Sequence, residues 1–298
     1  MREVAFDTAV RARAPLLIGL CGLHAAITRF AQATLRPLPE PTIRVRSLDL
    51  DGVADGGIVA ACLRQVSGDA GARGHGLELD LATDAPLGSG LGAPSALAVV
   101  IIGAFATWDG LDLAPRAIAD LAREIQPGPG AKLDPYAATS GGFNAVERDG
   151  EHGVAVHPVP VDPDVVHELE LRSLLVLAEH PPAAPGQSLE RSNVLAPEAR
   201  TALVRGRLDA LGGLLHEDWQ RNPSTPQADE LYGAARTAGA LGGTACGTGA
   251  GGFVFLLCAP DRMAAVGATL RDLGAQVSPV EFTSAGLRSW LQDAGEAP

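Results

Sequence analysis

Gly88, Gly90 and Gly92 place three glycines within five positions, and their surroundings give the spacing a chemical meaning. Before them, Gly76-Leu-Glu-Leu-Asp-Leu-Ala82 alternates apolar and polar like a strand; after them, Ala98-Val-Val-Ile-Ile-Gly-Ala-Phe105 is an apolar run of helical character. Strand, glycine loop and helix start together aim backbone N–H groups at a phosphate. Glycine suits such a loop because a Cβ would block close approach and positive φ. Pro94 and Ser95 suit a first helical turn, where a missing N–H costs little. A tight strand-to-helix turn would use the same residues, so the loop alone leaves both readings open. It is not a P-loop, since no Gly-Lys-Ser/Thr follows, and neither its spacing nor its context is that of the dinucleotide fingerprint. A second run, Gly247-x-Gly249-x-Gly251-Gly252, has more glycine than a turn requires and could close over the phosphate loop or a substrate.

Phosphoryl transfer needs positioned phosphates, neutralised charge and an oriented hydroxyl. Lys132 is the only lysine in the chain and stands two residues before Asp134. A nearby cation keeps a carboxylate ionised, although Asp-Pro in a loop is by itself an ordinary turn starter. The four cysteines, Cys21, Cys62, Cys246 and Cys258, are scattered with no Cys-x-x-Cys, which fits reduced thiols better than disulfides or zinc. The seven histidines show no metal-ligand spacing.

Three segments carry a family resemblance. Pro86-Leu-Gly-Ser-Gly-Leu-Gly-Ala-Pro-Ser-Ala-Leu97 resembles the second motif of the GHMP kinases. Lys132-Leu-Asp-Pro-Tyr-Ala-Ala-Thr-Ser-Gly-Gly-Phe-Asn144 is similar to a segment of the family's sugar-phosphate branch, that of the heptose-phosphate kinases. Asp229-Glu-Leu-Tyr and Ala238-Gly-Ala-Leu-Gly-Gly-Thr-Ala-Cys-Gly-Thr-Gly-Ala-Gly-Gly-Phe253 resemble the third motif and the helix before it. The resemblance implies an α/β (α+β) protein with the two-domain GHMP-kinase-like fold, a ribosomal-protein-S5-like N-terminal half and a ferredoxin-like C-terminal half. It implies ATP and Mg2+ as cofactors and a small sugar or sugar phosphate as substrate. Asp134 and Lys132 would be catalytic, and Gly88, Ser89, Gly90, Leu91, Gly92 and Ser95 would bind the nucleotide. Tyr136, Gly247, Gly249, Gly251 and Gly252 would bind substrate, and Glu124 and Ser95 would hold the metal.

The chain departs from that family in two places. The Gly-Gly-Gly-Thr-Asp type loop of the first motif is reduced to Gly19-Leu-Cys-Gly-Leu-His-Ala-Ala26, which leaves His24 as a new site residue or a turn histidine. The usual serines after the third loop glycine are Ala93 and Pro94, and proline supplies neither hydroxyl nor N–H. Two functions are therefore expected in competition: an ATP-dependent sugar or sugar-phosphate kinase, or a protein of the same fold that has lost kinase activity and binds, regulates or catalyses another reaction in the old pocket.

The 298 residues are 46% hydrophobic and only 4% aromatic, so Ala, Leu and Val must fill the core. A net charge of −12 without a Lys/Arg cluster argues against a nucleic-acid surface. Ala93–Ala106 is too short for a membrane span, and no targeting segment is evident, so a cytoplasmic protein with no nucleic-acid or membrane partner is expected, as a monomer or a homodimer. Domains are expected over 1–162 and 163–298. Strands are expected at Val10–Leu20, Ile27–Leu35, Thr42–Leu48, Leu77–Ala82, Gly142–Glu147, Val154–His157, Leu171–Ala178, Gly252–Cys258 and Ala275–Phe282. Helices are expected at Gly57–Val66, Pro94–Thr107, Ala114–Gln126, Pro197–Trp219 with a kink at Gly212-Gly213, Gln227–Ala240 and Asp261–Leu273.

Overall fold

The computed structural model describes residues 8–47, 58–66, 76–86, 88–125, 133–149, 153–177, 194–222, 224–247 and 252–293. The first half runs β1 (Thr8–Leu20), β2 (Leu23–Leu38), β3 (Ile43–Ser47), α1 (Ile58–Val66), β4 (Gly76–Thr83), α2 (Ala93–Trp108), α3 (Pro115–Ile125), α4 (Asp134–Ser140), β5 (Phe143–Asp149) and β6 (Gly153–Pro158). The second runs α5 (Pro163–Leu171), β7 (Ser173–Leu177), α6 (Ala196–Val204), α7 (Leu208–Arg221), α8 (Pro226–Ala238), β8 (Ala240–Ala245), β9 (Phe253–Cys258), α9 (Met263–Asp272), β10 (Gln276–Pro279) and β11 (Arg288–Asp293).

A seven-stranded sheet organises the first half around the β1–β2 hairpin. Only Cys21 and Gly22 join the two strands, with φ of 50° and 90°. Positive φ at both turn positions matches the twist of a two-residue hairpin. The far half of β2 pairs with β4, its first three residues pair with β5, and β3 adds to β4 in parallel. A four-stranded antiparallel sheet, ordered β10-β7-β9-β8, forms the second half.

α2 is apolar on all sides, and all but two of its sixteen residues are buried. A helix of that kind belongs inside a core, and α2 packs on β1 and β2 with α1, α3 and α4 around it. Residues 281–287 then cross back to the first sheet. Thr283 N donates to the Ala26 carbonyl at 3.0 Å, Gly142 N donates to the Thr283 carbonyl at 2.9 Å, and Leu287 N donates to the Thr139 carbonyl at 3.1 Å. This strap ties the end of α4 to β2 and delivers β11 to β1, where it pairs antiparallel. A cut at 162/163 therefore does not separate the two sheets.

Several local expectations need correction. The single helix expected over Pro197–Trp219 is two helices, and they break at Arg205-Gly206-Arg207, not at Gly212-Gly213. Arg207 N donates to the Ala202 carbonyl and Gly206 N to the Leu203 carbonyl, with Gly206 at φ 65°. That is a Schellman helix end, which requires the left-handed residue that glycine supplies. Gly212 serves close packing instead: a Cβ there would lie 2.5 Å from the Leu241 Cβ. α4, α5, β8 and β11 are not among the expected elements, and the last expected strand, Ala275–Phe282, is shortened to β10. The stretches at 67–75 and 178–193, expected as loops at Ser67–Gly76 and His180–Gly186, lie outside the described residues.

Candidate active site

Gly88, Gly90 and Gly92 have φ of 80°, 86° and 69°. Gly92 is also the N-cap of α2, with no side chain capping the helix. The first-turn N–H groups of a helix have no partner within it and carry its positive dipole end, so α2 starts as an anion-binding terminus. Leu91 anchors the loop from below: its side chain is fully buried and its carbonyl accepts from Leu17 N at 2.9 Å. Ser89 is 3% exposed, and its Oγ is buried without a hydrogen-bond partner. A buried hydroxyl lacking a partner is a costly state that a ligand acceptor can relieve. The strand end is fixed as well, since Phe30 N donates to Asp84 Oδ2 at 2.8 Å and Asp84 N returns a bond to the Phe30 carbonyl at 2.9 Å.

The two glycine runs meet. A Cβ on Gly90 would collide with the Cys246 carbonyl, and one on Gly252 with the Ser89 carbonyl; on Gly247 it would lie 2.5 Å from the Gly90 Cα. Phe253 N donates to the Ser89 carbonyl at 2.9 Å, and Cys246 N to the Phe253 carbonyl at 2.8 Å. Gly247 and Gly252 thus press on the phosphate loop backbone to backbone, as the spacing anticipated. Gly249 and Gly251 lie outside the described residues, as does Lys132.

Asp134 opens α4 and faces the same loop, its Oδ2 lying 3.4 Å from where a Cβ on Gly92 would be. Its other oxygen, Oδ1, is 3.4 Å from His24 Nε2, with side-chain exposures of 29% and 17%. His24 comes second after the two-residue turn, directly opposite Gly19. The sequence leaves this histidine open; the packing of α4 on the β1–β2 hairpin, not any local pattern, brings it to Asp134.

Three other expected site residues are placed differently. Tyr136 is turned into the core at 2% exposure and donates its hydroxyl to Asp120 on α3. Burial, then the hydrogen bond and charge of Asp120, push its pKa up to about 12. It therefore does not offer a hydroxyl to a sugar. Ser95 is 1% exposed within the first turn of α2, and Glu124 is exposed near the end of α3. Among the described residues no three His, Cys, Asp or Glu side chains gather to hold a metal. Ser95 and Glu124 are two oxygen donors, so most ligands of a magnesium ion held by them would be waters and substrate phosphates.

Asp134 thus stands beside a glycine loop at the N-terminus of α2, where backbone N–H groups can meet an anion. The sequence matches the GHMP kinases N terminal domain over residues 57–142 and GHMP kinases C terminal over residues 199–276. It is 33% identical over 233 residues to the D-glycero-alpha-D-manno-heptose 7-phosphate kinase of Campylobacter jejuni, covering 70% of this chain and 69% of that one. The crystal structure of a D-glycero-D-manno-heptose 1-phosphate kinase from Bacteroides thetaiotaomicron superposes with a TM-score of 0.79 at 26% identity, over 94% of this chain and 98% of that one. Lactococcus lactis galactokinase complexed with galactose shares the fold alone, with a TM-score of 0.71 at 18% identity over 94% and 95% of the two chains. The chain belongs to the GHMP kinase family, whose members are ATP-dependent phosphotransferases. Among the described residues no helix is long and apolar enough to cross a membrane.

Proposed function

We propose that the protein transfers the γ-phosphoryl group of ATP to a hydroxyl of a small sugar phosphate, of the heptose-phosphate class. The observation that carries this reading is Asp134 Oδ2 facing Gly92, where the phosphate loop becomes helix α2. ATP brings the phosphoryl group; the chain's own residues bind, orient and accept a proton. The N–H groups of the Gly88–Gly92 loop and the first turn of α2 would hold the phosphates, with Ser89 Oγ as a further polar contact. Gly247 and Gly252, pressed against that loop, would limit the water around the transferred group. As the acceptor oxygen bonds to the γ-phosphorus, the bond from that phosphorus to the β–γ bridging oxygen breaks and ADP leaves, while the acceptor's O–H proton passes to Asp134 Oδ2. Lys132, two residues upstream, would offset charge on the transferring group. Magnesium would enter with ATP, since it keeps several of its own waters and leans on substrate phosphates. The heptose-phosphate acceptor class is favoured by the two relatives of 33% and 26% identity.

A second reading, a family member without kinase activity, is favoured by the two-residue hairpin where relatives of this type carry a glycine loop, and by Ala93 and Pro94 in place of serines. One assay decides between them: transfer from radiolabelled ATP-Mg to a panel of heptose, hexose and pentose phosphates. Labelled product from a sugar phosphate supports the kinase. ATP binding with no transfer to any sugar or sugar phosphate supports the second reading.

A further inference from the structure

We propose that His24 is a positioning residue for Asp134, holding one carboxylate oxygen so that the other addresses the acceptor beside the phosphate loop. The inference rests on the kinase reading above and adds a residue to it. Its basis is the geometry of the hairpin. The two-residue turn sets His24 opposite Gly19 on one side and Asn144 on the other. Residues directly opposite share a sheet face, as do residues two apart along a strand, so His24 shares its face with Gly19 and Leu17. Leu17 Cβ is 3.6 Å from where a Cβ on Gly92 would be, so this is the face that meets the phosphate loop. Gly19 is exposed, and a Cβ there would meet nothing within 4 Å. Open space therefore lies beside the imidazole, where an acceptor can enter.

The two ring nitrogens and the two carboxylate oxygens have separate surroundings. His24 Nε2 faces Asp134 Oδ1 at 3.4 Å, while Asp134 Oδ2 faces Gly92. His24 Nδ1 is buried and makes no hydrogen bond. A carboxylate only accepts hydrogen bonds, so the ring nitrogen that faces it, Nε2, is the one that carries a proton. On the other side, Asn144 Nδ2 donates to the Gly141 carbonyl at 2.7 Å. A 3.4 Å separation is the loose geometry that catalytic hydrogen bonds show before substrate binds. A donor on Oδ1 fixes the carboxylate rotamer. In the transfer step the acceptor proton goes to Oδ2, while His24 holds Oδ1.

The test has two arms. In the first, ring 15N and 1H resonances of His24 are recorded in the wild type and in Asp134→Asn. The Nε2–H tautomer is expected, with signals that shift on loss of the carboxylate; a Nδ1–H tautomer, or signals indifferent to Asp134→Asn, overturns the proposal. This arm reads the contact itself and stands whether or not transfer is detected. In the second, turnover is compared in His24→Leu, His24→Gln, Asp134→Asn and the His24→Leu/Asp134→Asn pair. Misplacing a reacting group can cost on the order of 10²-fold; His24→Leu should lose that in kcat with KM for ATP unchanged. His24→Gln, which keeps an N–H donor near the Nε2 position, should recover most of the loss. The leucine change should cost nothing further once Asp134 is asparagine, because residues acting as a unit are not additive. Full turnover in His24→Leu, or an additive loss in the pair, overturns the proposal while leaving the kinase reading intact. No transfer by the wild type overturns the kinase reading and leaves the resonance arm to decide the contact.

Discussion

At the scale of single residues, the tyrosines show how burial redirects chemistry. The chain has two, Tyr136 and Tyr232, and both are pushed up to about 12, chiefly by burial. Tyr232 is 5% exposed and its hydroxyl meets His216 Nδ1 at 2.8 Å. Burial also lowers the His216 pKa, with the Arg236 charge adding to it. A phenol whose pKa is raised on folding binds more protons folded than unfolded above its ordinary range near 10. The stability it contributes is complete below pH 10 and is lost as pH rises toward 12. Absorbance at 295 nm should therefore show almost no phenolate in the native protein at a pH where the urea-unfolded chain is largely ionised. Equal titration of the two states would show that the phenols are solvated. The cysteines follow the same logic: all four are buried with no disulfide between them, and burial raises Cys62 to about 12 and Cys258 to about 11. Their value is packing, as their scattered spacing implied.

At the scale of elements, glycines decide which segments approach each other. Gly212 and Gly213 are neighbours in α7 with opposite prospects. Ala is favoured over Gly in a helix interior by about 1 kcal/mol, and at Gly213 nothing lies within 4 Å of the new Cβ. Gly213→Ala should raise the melting temperature, whereas Gly212→Ala, meeting Leu241 of β8, should lower it by the roughly 1–3 kcal/mol of overpacking. Matching melts for the two variants would refute the α7–β8 packing. In the phosphate loop, Gly90→Ala combines positive φ with collision against Cys246 and should abolish ATP binding by calorimetry. Gly110→Ala is the control, at φ 68° with open space around it, and should cost some stability while leaving ATP affinity unchanged. The alternation of Leu77–Ala82 and the all-apolar run of α2 made the strand-loop-helix unit legible in the sequence. The missed elements had weaker signals. β8 reads Ala-Leu-Gly-Gly-Thr-Ala, small residues without a period of two, because α7 and β9 press on it from close range. α5 did carry a start signal, Asp162 before Pro163, with Asp162 Oδ1 accepting from Asp164 N at 2.9 Å. β11 leaves Trp290 and Leu291 40% and 46% exposed at the sheet edge, and only pairing with β1, distant in sequence, defines it.

At the scale of the whole molecule, the chain folds its halves around one site. The first half supplies the phosphate loop, His24 and Asp134; the second supplies the glycine run that presses on the loop and the strap that ties α4 to β2. The glycine motifs and Asp134 were legible in the sequence, whereas His24 at Asp134 and the burial of Tyr136 were not, because both depend on which strand and helix faces meet. Residues 1–162 alone lack β11 and the strap, so that fragment should give a collapsed amide spectrum and no cooperative melt; a dispersed spectrum would show the first half to be self-sufficient. On the proposed reading, this chain moves a phosphoryl group with Asp134 as the proton acceptor beside the phosphate loop. The most direct measurement compares wild type and Asp134→Asn for turnover with ATP-Mg and a heptose phosphate, and for ATP affinity by calorimetry. Removing a general base typically costs about 10²–10⁴-fold, so turnover should fall by that much while the dissociation constant for ATP stays within about twofold, well under the tenfold that 1.4 kcal/mol would produce. An Asp134→Asn protein that keeps wild-type turnover would contradict the claim.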